Sequence, residues 1–259
     1  MAKVTIPSGF FEQRSGNTLW WLKVGWESRI LPLFPPGDTG NPPIEENLPS
    51  VSITGGRGDI RCVPIGENDA IIIRRYRRGG FMRHFLHDLY WDRPLRPFTE
   101  LYCTEEARRR GVPTVEVLAA QVEWASCGFY RGRLLTREAT EFHNLWVWLQ
   151  RAPSGESRRQ TLAIVARTIA RMHNAGIAHA DLNPTNILVR PEGEPPQALV
   201  IDLDCARLFA TPVPSYVREA NLRRLQRFFN KYDVLGEWLS PTEWADFRRV
   251  YETIPPLKK

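Results

Sequence analysis

The segments HADLNPTNILV, residues 179–189, and VIDLD, residues 200–204, decide how this chain is interpreted. Each contains part of a short apolar run, ILV at 187–189 and LVID at 199–202, and the turn-forming sequence PEGEPP separates the two runs. Short apolar runs bounded by Pro and Gly predict a β-hairpin. Polar side chains at the ends of its strands would therefore be held together on a rigid scaffold.

Three oxygen-bearing side chains lie at these strand ends: Asp181, Asn186 and Asp202. Carboxylate and amide oxygens are the ligands that Mg²⁺ prefers. The spacing from Asp181 to Asn186 is that of the kinase catalytic loop H-x-D-x-x-x-x-N, whose Asp accepts the proton of the attacking hydroxyl while its Asn holds metal. Asp202 falls where the metal-binding Asp of D-F-G would lie, although this chain reads Asp202-Leu203-Asp204.

A purely structural interpretation of these residues is also available, since Asp and Asn are common as turn caps and at strand ends. That interpretation suits each residue alone better than all three together. His179, which precedes them, is predicted to be a structural histidine that hydrogen-bonds backbone rather than a base.

The stretch before this loop is predicted to be a helix over residues 157–174, with Leu162, Val165, Ile169 and Met172 on one face. Ser157 and Gln160 form a predicted capping box at its start, and Gly176 is suited to end it. Two further helices are predicted near the end of the chain, around residues 222–229 and from a capping box of Ser240 and Glu243.

The first half is predicted to be rich in strands. VSIT, IRCVPI and AIIIRRY, within residues 51–76, form a predicted antiparallel meander, and a strand pair is predicted over residues 114–136. Pro97 and Gly111 suit the start and end of a helix at residues 97–110. A strand-rich half followed by a helix-rich half predicts an α+β fold with two lobes.

Three segments are expected along the chain. Residues 1–50 are an N-terminal extension and a Pro/Gly-rich linker, residues 51–140 a kinase-like N-lobe with one helix, and residues 141–259 a small helical C-lobe with the catalytic loop. The aromatic run at residues 19–26 resembles a strand, with no partner assigned.

The N-lobe should contain a nucleotide clamp. Gly55, Gly56 and Gly58 lie between two predicted strands, where glycines let backbone N–H groups approach phosphates, although such a cluster is also a common hairpin turn. No lysine occurs between residues 23 and 231, so Arg74 on the strand AIIIRRY is expected to do the work of the phosphate-pairing lysine. Glu100 is its expected partner. Arg75 is an alternative to Arg74. Arg74 could instead be a solvated charge on an edge strand, and Glu100 an acid favoured near a helix N-terminus by the helix dipole.

Composition restricts the partners. A formal net charge of +6 and 35 Lys+Arg against 29 Asp+Glu favour an anionic partner, and nearly all of the basic residues are arginines. The four cysteines lack metal-binding spacing, and no leader or membrane-spanning run is apparent, so a reduced cytoplasmic protein is expected.

Four blocks of this chain resemble a known family: IIIRRYRRGGF, HADLNPTNIL, VIDLDCARL and NLRRLQRFFNKY. They are similar to the 3-deoxy-D-manno-octulosonic acid (Kdo) kinase branch of the lipopolysaccharide kinases, over roughly residues 51–232. The resemblance implies a bilobal protein-kinase-like fold, ATP as donor and a sugar hydroxyl of the lipopolysaccharide inner core as acceptor. It also implies Asp181 as catalytic base, Asn186 and Asp202 as Mg²⁺ ligands, and Arg74 with Glu100 as the phosphate-positioning pair.

A lipid-linked anionic acceptor would suit a basic and apolar cluster, for which membrane docking on the cytoplasmic face of the inner membrane and a plain solvated surface are both open interpretations: Arg75, Arg77, Arg78, Arg83, Phe81 and Met82. Residues 203–259 contain no A-P-E segment, which disfavours a protein substrate, and no motif supports nucleic-acid binding. The alternatives are a kinase for heptose or a small molecule, and a pseudokinase that binds nucleotide without turnover.

Overall fold

The computed structural model describes residues 4–34, 51–52, 60–67, 69–76, 89–90, 94–125, 128–192 and 195–255. Contacts within the chain divide it into two units, the first formed by Met1–Glu105 and Glu116–Thr140 and the second by Glu106–Val115 and Glu141–Lys259. The described residues form six α-helices: α1 (Glu27–Ile30), α2 (Arg96–Arg109), α3 (Leu145–Gln150), α4 (Gly155–Asn174), α5 (Ser215–Tyr232) and α6 (Pro241–Glu252). None of them is long and apolar enough to span a membrane.

The first unit is built on a single antiparallel sheet. Its seven strands are β1 (Phe10–Ser15), β2 (Thr18–Lys23), β3 (Val51–Ser52), β4 (Ile60–Gly66), β5 (Asp69–Arg75), β6 (Val117–Trp124) and β7 (Tyr130–Arg137). They are arranged in the order β1-β2-β6-β7-β5-β4-β3. The predicted meander is present as β3-β4-β5, and the predicted strand pair is present as β6-β7.

Both faces of this sheet are covered, because side chains alternate along each strand. Trp20 and Leu22 of β2 join a buried cluster with Ile71 of β5 on one face. Trp21 joins Phe98 of α2 on the other face, where the two rings stack with centroids 4.4 Å apart. Two covered faces explain the continuous β-branched run of β5, which would be costly on a solvated face.

The tryptophan-rich N-terminal stretch finds its partner in this sheet. β1 and β2 form a hairpin, and β2 pairs with β6 so that Thr18 lies opposite Glu123 and Leu22 opposite Ala119. Residues 10–23 therefore add two strands to the first unit.

The second unit surrounds α4, whose apolar face is buried as predicted at Leu162, Val165, Ile169 and Met172. The predicted hairpin is formed by β10 (Ile187–Arg190) and β11 (Gln197–Val200), with β8 (His143–Asn144) on the outer side of β10. A second small pair joins β9 (Ile177–Ala178) to β12 (Arg207–Leu208). The apolar core thus lies under the hairpin whose ends carry the predicted site.

The structure agrees with some of the predicted helix ends and differs from one of them. The capping box of Ser240 and Glu243 is present at the start of α6. The capping box predicted for Ser157 and Gln160 is wrong, because α4 begins at Gly155 with Ser154 as its N-cap, so Ser157 already lies inside the first turn. Gly176 follows α4 with a left-handed φ of 79°, as its predicted role requires.

Candidate active site

The loop between β9 and β10 is braced by its own side chains. A 3₁₀ turn at Pro184–Asn186 is capped by Asn183, whose Oδ1 accepts from the Thr185 backbone N–H at 2.8 Å. The amide nitrogen of Asn183 donates to the backbone oxygen of Asp181 at 3.0 Å and to its Oδ2 at 3.2 Å. The position of Asp181 is therefore set by neighbouring polar groups rather than by burial.

The buried ring of His179 hydrogen-bonds to backbone groups at the start of this loop and just after the hairpin. Its ring is 1% exposed; Nδ1 accepts from the Asp181 backbone N–H at 3.0 Å, so Nε2 carries the proton and donates to the Ile201 backbone oxygen at 3.0 Å. Burial lowers the pKa of His179, which keeps the ring neutral. The prediction of a structural histidine is confirmed.

Asp181 is the accessible carboxylate of the loop, with 64% of its side chain exposed. Oδ1 accepts a hydrogen bond from Nη1 of Arg224 at 3.0 Å, and Oδ2 accepts from Asn183. Each carboxylate oxygen has a second lone pair, so an incoming hydroxyl can still donate to this group. The geometry suits a base that orients and deprotonates an alcohol.

Asn186 and Asp202 are brought together by the hairpin. Ile187 pairs with Val200, and the next backbone bond runs from Ile201 N–H to Asn186 O at 3.0 Å, which places Asp202 just beyond Asn186. The charges of both Asp202 and Asp181 act on His179, raising its pKa against the larger effect of burial. The two predicted metal ligands and the predicted base therefore lie close together, with Asn186 hydrogen-bonded to the Asp181 backbone and both aspartates near His179.

The donor set fits a hard cation. Nδ2 of Asn186 donates to the Asp181 backbone oxygen at 2.9 Å, which leaves its Oδ1 as the ligand atom. Asp202 adds a carboxylate, and its left-handed φ of 60° is a conformation that Asp tolerates better than most residues. An amide oxygen beside a carboxylate, with substrate phosphates completing the shell, is a common Mg²⁺ arrangement. Among the described residues, no group of three or more His, Cys, Asp or Glu side chains is arranged to hold a metal ion.

Two residues of α5 complete this site, and sequence reasoning assigned no role to either. Asn221 accepts from the His179 backbone N–H at 3.0 Å and donates to the His179 backbone oxygen at 3.1 Å. Its Oδ1 also accepts from Nε2 of His173 at 3.1 Å. Arg224, one turn later, forms the ion pair with Asp181. The signal that could have pointed to them was their place in the block NLRRLQRFFNKY, which carried the family resemblance.

The first unit brings the other predicted pair together. Nη2 of Arg74, on β5, donates to Oε2 of Glu100, on α2, and the hydroxyl of Tyr76 donates to the same oxygen. Glu100 is 2% exposed, and the Arg74 guanidinium lies 4.9 Å from the centroid of the Tyr76 ring. Arg74 is thus held by Glu100, with part of its guanidinium surface exposed.

Several predicted residues lie outside the described residues. These are the glycines of the expected phosphate loop and most of the basic and apolar cluster: Gly55, Gly56, Gly58, Arg77, Arg78, Phe81, Met82 and Arg83.

The amino-acid sequence of this chain is similar to those of known lipopolysaccharide kinases. Residues 56–251 match the model of the lipopolysaccharide kinase (Kdo/WaaP) family. The chain is 31% identical over 193 residues to the 3-deoxy-D-manno-octulosonic acid kinase of Actinobacillus succinogenes, covering 72% of this chain and 76% of that protein. It is 32% identical over 200 residues to the same enzyme of Xylella fastidiosa strain M12, covering 76% and 75%.

A solved structure described as WaaP in complex with acyl carrier protein matches with a TM-score of 0.56 and 18% identity, covering 91% of this chain and 89% of that one. The likeness shows a protein-kinase-like fold and confirms the predicted α+β class.

Proposed function

Because this chain belongs to the lipopolysaccharide kinase (Kdo/WaaP) family, we propose that it transfers the γ-phosphate of ATP to a hydroxyl of Kdo on the lipid A–inner core of lipopolysaccharide. The acceptor is taken from the two relatives described above, both named 3-deoxy-D-manno-octulosonic acid kinase. The observation that carries the proposal is the exposed Asp181 carboxylate, held near Asn186 and Asp202 by hydrogen bonds of the loop and of the hairpin that follows it.

Asp181 orients the acceptor hydroxyl and takes its proton as the new phosphate ester bond forms. Phosphoryl transfer needs little covalent chemistry from the protein, and the rate comes from positioning and charge stabilisation. A braced carboxylate supplies positioning, because its backbone and both its oxygens are held by neighbouring residues.

Asn186 and Asp202 would hold Mg²⁺, which supplies charge neutralisation at the phosphate oxygens when bound. Arg74 takes the place of the phosphate-pairing lysine. Its ion pair with Glu100 fixes the guanidinium, and a guanidinium recognises phosphate oxygens as a bidentate donor. The missing lysine is the best argument for a pseudokinase, and a paired, fixed Arg74 answers it because the guanidinium can supply the same positive charge.

The test is transfer of labelled phosphate from Mg-ATP to a Kdo-bearing lipid A precursor, run beside the same precursor without Kdo. Asp181→Asn keeps the shape of the side chain and removes the base, and we expect its rate to fall about 10²- to 10⁴-fold. Asp246→Asn is the matched control, because Asp246 is an exposed carboxylate of α6 whose ion pair, within the described part of the chain, is with Arg249 three residues later.

Transfer by wild type to the Kdo-bearing precursor alone, lost in Asp181→Asn and kept in Asp246→Asn, is the expected result. Equal transfer to both precursors would place the acceptor hydroxyl on the lipid A part that they share rather than on Kdo. Mg-ATP binding without transfer to either precursor would point to another acceptor sugar or to a pseudokinase.

We also propose that the protein works in the cytoplasm, in peripheral contact with the anionic surface of the inner membrane, where its lipid-linked acceptor lies. The end of α5 offers a suitable surface in the second unit. Tyr232, Val234 and Leu235 are 47%, 80% and 82% exposed, and Lys231 and Arg227 are exposed beside them. Apolar side chains next to cations match an interface of acyl chains and anionic headgroups.

Vesicle sedimentation tests this contact. We expect wild type to bind phosphatidylglycerol-containing vesicles more tightly than phosphatidylcholine vesicles, and Leu235→Asp to weaken that binding. Val24→Asp is the control, since Val24 is a 63% exposed valine of the first unit. Equal binding by both variants would refute the assignment of this surface.

A further inference from the structure

Arg224 of α5 supplies a positive charge to the catalytic loop, which contains no cationic residue of its own. Residues 179–189 contain neither Lys nor Arg, and the residue two positions after Asp181 is the neutral Asn183. The positive charge beside Asp181 comes instead from α5, where Nη1 of Arg224 donates to Asp181 Oδ1 at 3.0 Å. The positive charge of Arg224 also lowers the pKa of the buried His179 ring, so its electrostatic effect extends to the interior of the loop.

This ion pair leaves much of the guanidinium accessible. Among the described residues, Arg224 hydrogen-bonds only to Asp181, and only through Nη1. Its side chain is 45% exposed. The planar fork of arginine has five N–H donors, so Nε and Nη2 can bind a second carboxylate while Nη1 keeps the first.

The acceptor proposed above is a sugar acid, and this inference rests on that proposed function. A hydroxyl of the sugar must reach Asp181, which brings the carboxylate of the same sugar close to an anionic base. Two carboxylates at such a distance repel each other unless a cation lies between them. Arg224 is placed to be that cation.

We propose that Arg224 binds the carboxylate of the acceptor sugar while remaining paired with Asp181, and so makes the enzyme selective for an acidic sugar. The bridge also orients the ring relative to the base, because a bidentate guanidinium–carboxylate contact fixes direction as well as distance. A neutral sugar gains nothing from this contact.

The experiment compares wild type, Arg224→Gln, Arg224→Lys and the control Arg223→Gln. Arg223 is exposed on the same helix, and among the described residues its one side-chain hydrogen bond is to the Glu219 backbone oxygen. Two acceptors are used: the Kdo-bearing lipid A precursor and the same precursor with its Kdo carboxylates converted to methyl esters. The readouts are kcat, the KM for each acceptor, the KM for ATP, and equilibrium binding of the acid acceptor.

We expect Arg224→Gln to raise the KM and the dissociation constant for the acid acceptor about 10- to 100-fold, the usual effect of losing a charged hydrogen bond. The KM for ATP stays within about twofold, and the wild-type preference for acid over ester disappears. Arg224→Lys recovers part of both effects, and Arg223→Gln behaves as wild type.

Unchanged acceptor binding and an unchanged acid-over-ester preference in Arg224→Gln would overturn the inference, whatever happens to kcat. Acceptor binding decides the matter even where turnover is too slow to measure. Failure of wild type to phosphorylate the Kdo-bearing precursor is a separate outcome, which would overturn the proposed function and this inference with it. Melting temperatures confirm folding, which an exposed arginine should hardly affect.

Discussion

Asn221 joins α5 to the catalytic loop through buried hydrogen bonds, and replacing it with Ala should damage stability and activity together. The change removes three hydrogen bonds, two to the backbone of His179 and one to His173. Asn221, His179 and His173 are 8%, 1% and 0% exposed, so water cannot replace the lost partners. At about 1 kcal/mol for each bond, plus the cost of buried unpaired groups, the loss is about 3–5 kcal/mol.

Thermal unfolding and steady-state kinetics measure the two effects. A loss of about 3 kcal/mol corresponds to about 6–12 °C in melting temperature for a protein of this size. We also expect kcat to fall at least about tenfold, because Asp181 follows His179 by two residues and loses its fixed position.

The matched control is Asn230→Ala, the same change at an exposed position of the same helix. We expect it to shift stability by less than about 0.5 kcal/mol and to leave kcat unchanged. If the two variants melt at the same temperature and turn over at the same rate, α5 does not hold the catalytic loop through Asn221.

Three further perturbations have outcomes set by the structure. Burial lowers the pKa of His173 from 6.5 to about 4, so the unfolded chain binds the proton first and this stability is lost as pH falls below 6.5. Urea unfolding of wild type should lose about 2 kcal/mol between pH 7 and pH 5 through this group, and His173→Gln should lose less. Glu100→Gln should raise the KM for ATP about tenfold, because it removes the charge that fixes Arg74, while the KM for the acceptor stays constant. An unchanged KM for ATP would mean that Arg74 does not contribute to nucleotide binding. Gly176→Ala should lower the free energy of unfolding by at least about 2 kcal/mol more than Gly111→Ala in denaturant titrations. Both glycines have a left-handed φ, but of the two only Gly176 would place the new Cβ 2.5 Å from a backbone oxygen. Equal losses would mean that the backbone relaxes around the new Cβ.

Local patterns in the sequence were enough to predict most of the helices and strands and the closeness of Asp181, Asn186 and Asp202 in the candidate site. The apolar spacing of α4 and the continuous apolar run of β5 each report burial over a few consecutive residues, which is where such patterns are reliable. Asp181, Asn186 and Asp202 were recognisable because their spacing along the chain is fixed by one loop and one hairpin.

The residues that could not be predicted act across long separations. Asn221 lies 42 residues from its partner His179, and β2 pairs with a strand about a hundred residues later. Such contacts depend on packing and have no local signature. The misplaced capping box has a different cause, since a hydroxyl and an amide three residues apart fit the pattern equally well at the N-cap and inside the first turn.

The hydrogen bonds between Asn221 and His179 also determine when, during protein synthesis, the site can form. The loop is synthesised first, and the Asn221 side chain that hydrogen-bonds both backbone groups of His179 follows 42 residues later. At about 5–20 residues per second this is a delay of roughly two to eight seconds. Until α5 has docked, the loop lacks the amide that holds it. The nascent chain therefore carries Asp181 before the helix that fixes its loop has been made, and the loop reaches its final geometry only after residues 215–232 have folded.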